Sequence, residues 1–162
     1  MTKDMAQQKK KIEKATFASG CFWGVQALFD KVPGVLSTIV GYTGGKTKNP
    51  SYEEVCTDKT GHAEAIEITY DTAKISFEKL LEFFWENHDP TTPDRQGPDF
   101  GSQYRSAIFY HSSAQMRMAE DSKVLYQKKF GKKIVTEITQ ASNFYPAEKY
   151  HQKYYISHPG VC

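Results

Sequence analysis

Lys14-Ala15-Thr16-Phe17-Ala18-Ser19-Gly20-Cys21-Phe22-Trp23-Gly24 carries the chain from a short strand into a helix and sets a thiol at the turn between them. After the strand, Phe22, Val25, Leu28, Phe29 and Val32 recur at helical spacing until Pro33-Gly34 stops the pattern. Cys21 is expected at or just before the first helical turn. Unpaired backbone N–H groups and the positive end of the helix dipole favour an anion there, which predicts a thiol pKa lowered from ~8.5 into the range ~3.5–7.5. A cysteine among apolar residues can instead be a small buried hydrophobe. The strand-to-helix position and the flanking Gly20 and Gly24, which leave the thiol open to approach, favour the reactive reading.

Working outward, Val35 to Tyr42 is a β-branched strand, followed by the turn-rich loop Thr43-Gly44-Gly45-Lys46-Thr47-Lys48-Asn49-Pro50. Ala63 to Tyr70 is the next strand. Ser76 to Asn87 is a helix with Ser76 as N-cap and Phe77, Leu80, Leu81, Phe84 and Trp85 on one face. Pro93 and Gly97-Pro98 exclude helix and strand between Thr91 and Gly101. Tyr104 to Tyr110 (strand), Ser113 to Phe130 (helix), Ile134 to Gln140 (strand) and a final helical turn or two in Ala147 to Ile156 complete the chain. This order predicts an α+β fold: a two-layer α/β sandwich with a ferredoxin-like split-βαβ core, a mixed sheet and helices mainly on one face. The irregular segments 43–62 and 91–103 exceed ordinary connection lengths and are expected to wall a pocket around Cys21.

The 162 residues fit one catalytic domain, with residues 1–13 expected as a flexible polar tail and about 157–162 as a mobile C-terminal tail. A net charge of +2, with bases and acids interspersed, gives no basic stripe for nucleic acid. No stretch approaches the ~20 apolar residues that span a bilayer, and the N-terminus lacks the apolar run of a secretory signal, so the expected location is the cytoplasm. Cys21, Cys56 and Cys162 make an odd count, poor for structural disulfides and suited to redox chemistry in a reducing compartment. Nothing suggests an obligate interface, so a monomer is expected.

On the strand Ala63 to Tyr70, Glu64 shares the apolar face with Ile66, Ile68 and Tyr70, while Glu67 and Thr69 point the other way. A carboxyl held there is desolvated and stays protonated near neutral pH, a proton donor. Alternatively, Glu64 lies at the strand's end and reaches water. Tyr52 and Tyr104 flank the irregular segments and could offer phenolic hydroxyls, though in a chain with ten tyrosines a core position is the default reading for each. Asp99 is by default a turn residue. The five histidines show no pair at metal-ligand spacing with the cysteines. Gly41-Tyr42-Thr43-Gly44-Gly45 lacks the lysine and helix of a phosphate-binding loop.

Four motifs, Gly20-Cys21-Phe22-Trp23-Gly24, Gly61-His62-Ala63-Glu64-Ala65, Trp85-Glu86-Asn87-His88-Asp89-Pro90 and Gly101-Ser102-Gln103-Tyr104-Arg105-Ser106, resemble in order those of the peptide methionine sulfoxide reductase family of the A type. The similarity runs from about Ala15 to Cys162. It implies thiol reduction of the S epimer of methionine sulfoxide, free or in proteins, a repair of oxidative damage. By the same resemblance Cys21 is the nucleophile, Phe22 and Trp23 wall the pocket for the substrate methyl group, and Glu64 is the acid. Tyr52 and Tyr104 bond the sulfoxide oxygen, and Asp99 helps arrange the pocket. Cys21 would become a sulfenic acid, Cys162 would convert it to a disulfide, and thioredoxin or a dithiol would reduce that, with no metal or organic cofactor. Cys56 is the alternative resolver. With Cys162 as the last residue, the longer relatives' further recycling cysteine is not expected. Two other readings stand beside this one. A thiol peroxidase needs an arginine and a threonine near the thiol, and no such cluster surrounds Cys21. A binding module that grips oxidised methionine without turnover would be favoured by loss of Cys21 or Glu64, and both are present.

Overall fold

Phe17 is the hub of the molecule. Its ring, fully buried on a central strand, lies 5.7 Å from Phe29, 6.0 Å from Phe77 and 5.1 Å from Phe84, so one side chain joins the sheet to two helices. Ile66 and Ile108 flank it on the neighbouring strands and are equally buried. Each such side chain contributes about 1.5–3 kcal/mol by leaving water.

The computed structural model describes residues 11–154. Its elements are β1 (Ile12–Ser19), α1 (Phe22–Asp30), β2 (Val35–Thr43), α2 (Tyr52–Cys56), β3 (Ala63–Asp71) and α3 (Phe77–Glu86). They continue with β4 (Arg95–Gln96), β5 (Asp99–Phe100), a 3₁₀ turn (Ser102–Tyr104), β6 (Ser106–Tyr110), α4 (Ser113–Gln127), β7 (Glu137–Gln140), β8 (Phe144–Pro146) and a second 3₁₀ turn (Lys149–His151). The main sheet runs β7-β6-β1-β3-β2-β8. Among the described strands only β6 and β7 pair in parallel, joined through α4, which makes the sheet mixed. The order β6-β1-β3-β2 is the split-βαβ core: β3 fills the gap between β1 and β2, and α1 and α3 pack with α4 over one face.

Two of the four motifs serve this framework. Trp85 Nε1–H donates to Ser122 Oγ at 2.8 Å, tying α3 to α4. His88 shares hydrogen bonds with the Phe84 carbonyl at 2.6 Å and Ser106 Oγ at 2.7 Å, and Ser106 Oγ lies 2.8 Å from Thr136 Oγ1. Burial keeps this imidazole neutral, with its pKa pushed down to about 4. Arg105 donates to the carbonyls of Ser102 (2.9 Å) and Gly61 (3.0 Å), joining the turn that carries Tyr104 to the segment that leads into Glu64.

Several boundaries depart from the sequence expectation. The expected tail 1–13 overlaps β1, because Ile12 and Glu13 pair with Asp71 and Tyr70. Segment 43–62 is not wholly irregular. Ser51 Oγ accepts from the Glu54 amide at 3.1 Å while Glu54 Oε1 accepts from the Ser51 amide at 2.9 Å, a capping box that starts α2. Segment 91–103 contains the hairpin β4–β5, since Gly97, at φ +57°, and Pro98 occupy its turn and leave the paired residues free. Tyr104 belongs to a 3₁₀ turn and not to β6. Of the stretch expected as a final helix, residues 147–154 are described and include a 3₁₀ turn, preceded by the edge strand β8. The expected C-terminal tail lies outside the described residues.

Candidate active site

Cys21 is the N-cap residue of α1, at φ −55° and ψ 120°. The backbone N–H groups of Trp23 and Gly24, which a helix N-terminus supplies, act on its sulfur, although the side chain makes no capping hydrogen bond. These lower the thiol pKa, and they lose. Burial and the Glu64 carboxyl, with Asp99 adding to them, push Cys21 up to about 11. The expectation of an already ionised thiol is therefore corrected: burial outweighs the pull of the helix N-terminus. Gly20, at φ +101°, makes the turn, and a Cβ there would stand 2.7 Å from Gln96 Cγ. Gln96 is in turn fixed to both the amide and the carbonyl of Asp89, each at 2.8 Å. The glycine therefore seats the β4–β5 hairpin against the turn that carries Cys21.

Glu64 is the second residue of β3, opposite Tyr42 of β2, and is 1% exposed. Its Oε1 accepts the Phe22 amide at 3.2 Å, and its Oε2 is buried with no hydrogen-bond partner among the described residues. Burial, aided by Asp99 and opposed by the Phe22 amide, raises its pKa to about 8. The strand alternation that placed Glu64 on the apolar face holds, and the alternative of an end residue in water does not.

Of the remaining expected residues, Asp99 falls in one group and Phe22, Trp23 and Tyr52 in another. A groove of about 340 Å³ is lined by Cys21, Val25, Leu28, Phe83, Gln96 and Asp99 among others. An aromatic cluster joins the buried Phe22 to Trp23 and Tyr52 through His151, whose ring centroid is 5.3, 5.7 and 4.5 Å from theirs. Burial first and Glu64 next push the Tyr104 hydroxyl up to about 12, so that phenol shares its surroundings with the acid. Tyr52 is raised by burial, by its interaction with the Cys56 thiol one helical turn on, and by Glu64. The Tyr52 amide donates to Glu148 Oε2 at 2.9 Å, and the Tyr42 hydroxyl donates to Glu148 Oε1 at 2.9 Å, fixing α2 to the C-terminal segment. Cys56 is exposed, and its thiol is itself raised by burial. Cys162 lies outside the described residues.

The match to a family model described as "Peptide methionine sulfoxide reductase" covers residues 13–162. The chain belongs to the peptide methionine sulfoxide reductase family. A relative from Sulfolobus acidocaldarius named peptide methionine sulfoxide reductase MsrA is 55% identical over 147 residues, which are 91% of this chain and 84% of that one. The crystal structure of Mxr1 from Saccharomyces cerevisiae in reduced form matches at TM-score 0.90 and 38% identity, covering 94% of this chain and 88% of that one. Mxr1 in complex with Trx2 matches at TM-score 0.65 and 32% identity, covering 89% and 85%.

Within this site, sequence reasoning missed Glu148, His151 and Tyr154. Trp23 Nε1–H donates to His151 Nδ1 at 3.0 Å, and Tyr154 stacks on the indole at 3.8 Å and 8°. The only local sign was the density of rings in Tyr150-His151-Gln152-Lys153-Tyr154, which no periodicity connects to residue 23. Among the described residues no group of three or more His, Cys, Asp or Glu side chains forms a metal site, and no helix is long and apolar enough to cross a membrane.

Proposed function

We propose that this protein reduces the S epimer of methionine sulfoxide, free or in proteins, by thiol chemistry at Cys21. The single observation that carries the reading is a buried carboxyl, Glu64, its pKa pushed up to about 8 and its Oε1 accepting the amide of Phe22, the residue after the nucleophile. Oxygen leaves sulfur readily only when it is protonated, so the neutral acid donates to the sulfoxide oxygen while Cys21 Sγ supplies the electron pair. The S=O bond breaks, a Cys21 Sγ–O bond forms, and the proton released by the thiol restores Glu64. The products are methionine, reduced by two electrons, and a Cys21 sulfenic acid. Phe22 and Trp23 wall the slot for the substrate methyl group, Tyr52 and Tyr104 bond the oxygen, and Asp99 helps arrange the pocket.

Cys162 then displaces the sulfenic hydroxyl as water, forming the Cys21–Cys162 disulfide. It follows Tyr154 by eight residues, a span of up to ~26–29 Å, and Tyr154 already rests on Trp23. A thioredoxin-type dithiol reduces that disulfide by exchange, a role supported by the similarity to the yeast protein solved with Trx2. External thiols of this kind serve the cycle without a metal or organic cofactor and suit the cytoplasm. The test is racemic methionine sulfoxide with dithiothreitol: the S epimer is expected to disappear and the R epimer to remain. Loss of the R epimer alone, or of neither, would refute the reading.

A further inference from the structure

We propose that His151 is a positioning residue of this site, its Nδ1 holding the Trp23 indole in the orientation in which the ring walls the slot beside Cys21. This rests on the reading of Trp23 as a substrate wall given above. Trp23 is the second residue of α1 and only partly buried, so its long side chain has room to turn about its first two torsions. The bond from Nε1–H to His151 Nδ1, at 3.0 Å, crosses 128 positions of sequence and meets a side chain that is 1% exposed. An indole N–H can only donate, so any rotation that leaves Nδ1 strands it without that acceptor.

The imidazole is suited to the task in three ways. It accepts at Nδ1, which fixes its proton on Nε2, and Nε2 is buried with no hydrogen-bond partner among the described residues, so no hydrogen bond there competes for the ring's orientation. Burial holds its pKa down against the pull of Glu148, keeping the lone pair at Nδ1 available. Its backbone is braced on both sides. The His151 amide donates to the Glu148 carbonyl at 2.9 Å. The Gln152 side chain accepts from the Val40 amide at 3.0 Å and donates to its carbonyl at 2.8 Å, and the Lys153 amide donates to Gln26 Oε1 at 2.7 Å. The same ring touches Phe22 and Tyr52, so one histidine sets three aromatic residues around the slot.

The experiment compares Trp23→Phe, His151→Phe, His151→Asn and His151→Gln in the full chain, reading kcat and KM for methionine (S)-sulfoxide and the two indole N–H signals in ¹⁵N-tryptophan NMR. Asn places its amide oxygen near the position of Nδ1, whereas Gln reaches the position of Nε2. His151→Phe is expected to raise KM about three- to tenfold, the worth of one lost hydrogen bond, with kcat within about twofold. Its Trp23 indole signal should move upfield. His151→Asn should restore both and His151→Gln neither. The Trp85 signal, from an indole bonded to Ser122, reports intact folding in every variant. A raised KM in Trp23→Phe with a normal KM and an unmoved Trp23 signal in His151→Phe would overturn the role of His151 alone. A normal KM in Trp23→Phe would overturn the wall reading and this proposal with it. Equal behaviour of the Asn and Gln variants would also refute it.

Discussion

The amide of Phe22 donates to Glu64 Oε1 at 3.2 Å across 42 positions of sequence, and that bond ties the acid to the first turn of the helix that Cys21 caps. The bond favours ionisation of the carboxyl, yet Glu64 stays protonated near neutral pH because burial weighs more. The same burial keeps the Cys21 thiol neutral. At rest the site holds two protons and no net charge on this pair. Transfer of one proton to a bound oxygen is what would draw the other from sulfur.

Glu64→Gln keeps the shape and a hydrogen-bond acceptor but removes the proton. The reduction rate with dithiothreitol at pH 7 should fall by ~10²–10⁴-fold. In the unmodified protein the rate should also decline as pH rises through about 8, and the variant should lack that decline. Stopped-time assays from pH 6 to pH 10 separate the two.

The same substitution should stabilise the fold at alkaline pH. Glu64 has a folded pKa of about 8 against an unfolded value of 4.5, so between those values the native state holds a proton that the unfolded chain has lost. Stability associated with this group is fully present below pH 4.5 and is lost as pH rises through about 8. By pH 8 the loss is on the order of 4 kcal/mol. Urea midpoints of Glu64→Gln and the parent should diverge from pH 5 to pH 8, with the variant the more stable.

Cys21 alkylation by iodoacetamide, measured in a Cys56→Ser, Cys162→Ser background, should be slow at pH 7 and climb without a plateau past pH 9, following a thiol pushed up to about 11. Glu64→Gln removes a carboxyl that opposes the thiolate and should shift the curve to lower pH. A plateau already reached at pH 6 would mean that the helix N-terminus wins after all.

These pKa relations mark where reading the sequence stops. The position of Cys21 at a strand-to-helix turn and the side of β3 that carries Glu64 follow from local periodicity, and both hold in the fold. The direction of the Cys21 shift does not follow, because Glu64 and Asp99, which raise it, come from a strand and a hairpin far along the chain. The helix α2 was legible in principle, since Ser51 and Glu54 form a capping box, but the surrounding glycines and prolines masked it. For His151 the sequence offers only the ring-rich stretch around it, because its partner, Trp23, is near the other end of the chain.

Cys162→Ser should still release one methionine per enzyme without reductant but lose cycling driven by a thioredoxin, while Cys56→Ser should cycle normally. Cycling retained in Cys162→Ser and lost in Cys56→Ser would make Cys56, whose thiol interacts with the Tyr52 hydroxyl, the resolving group.

The most direct measurement is a titration of the Glu64 carboxyl itself, by the ¹³C shift of its Cδ in glutamate-labelled protein, assigned with Glu64→Gln. Proton donation to the sulfoxide requires the signal of a neutral acid at pH 7 and half-ionisation near pH 8. A carboxyl that titrates near 4.5, already charged at neutral pH, would contradict it.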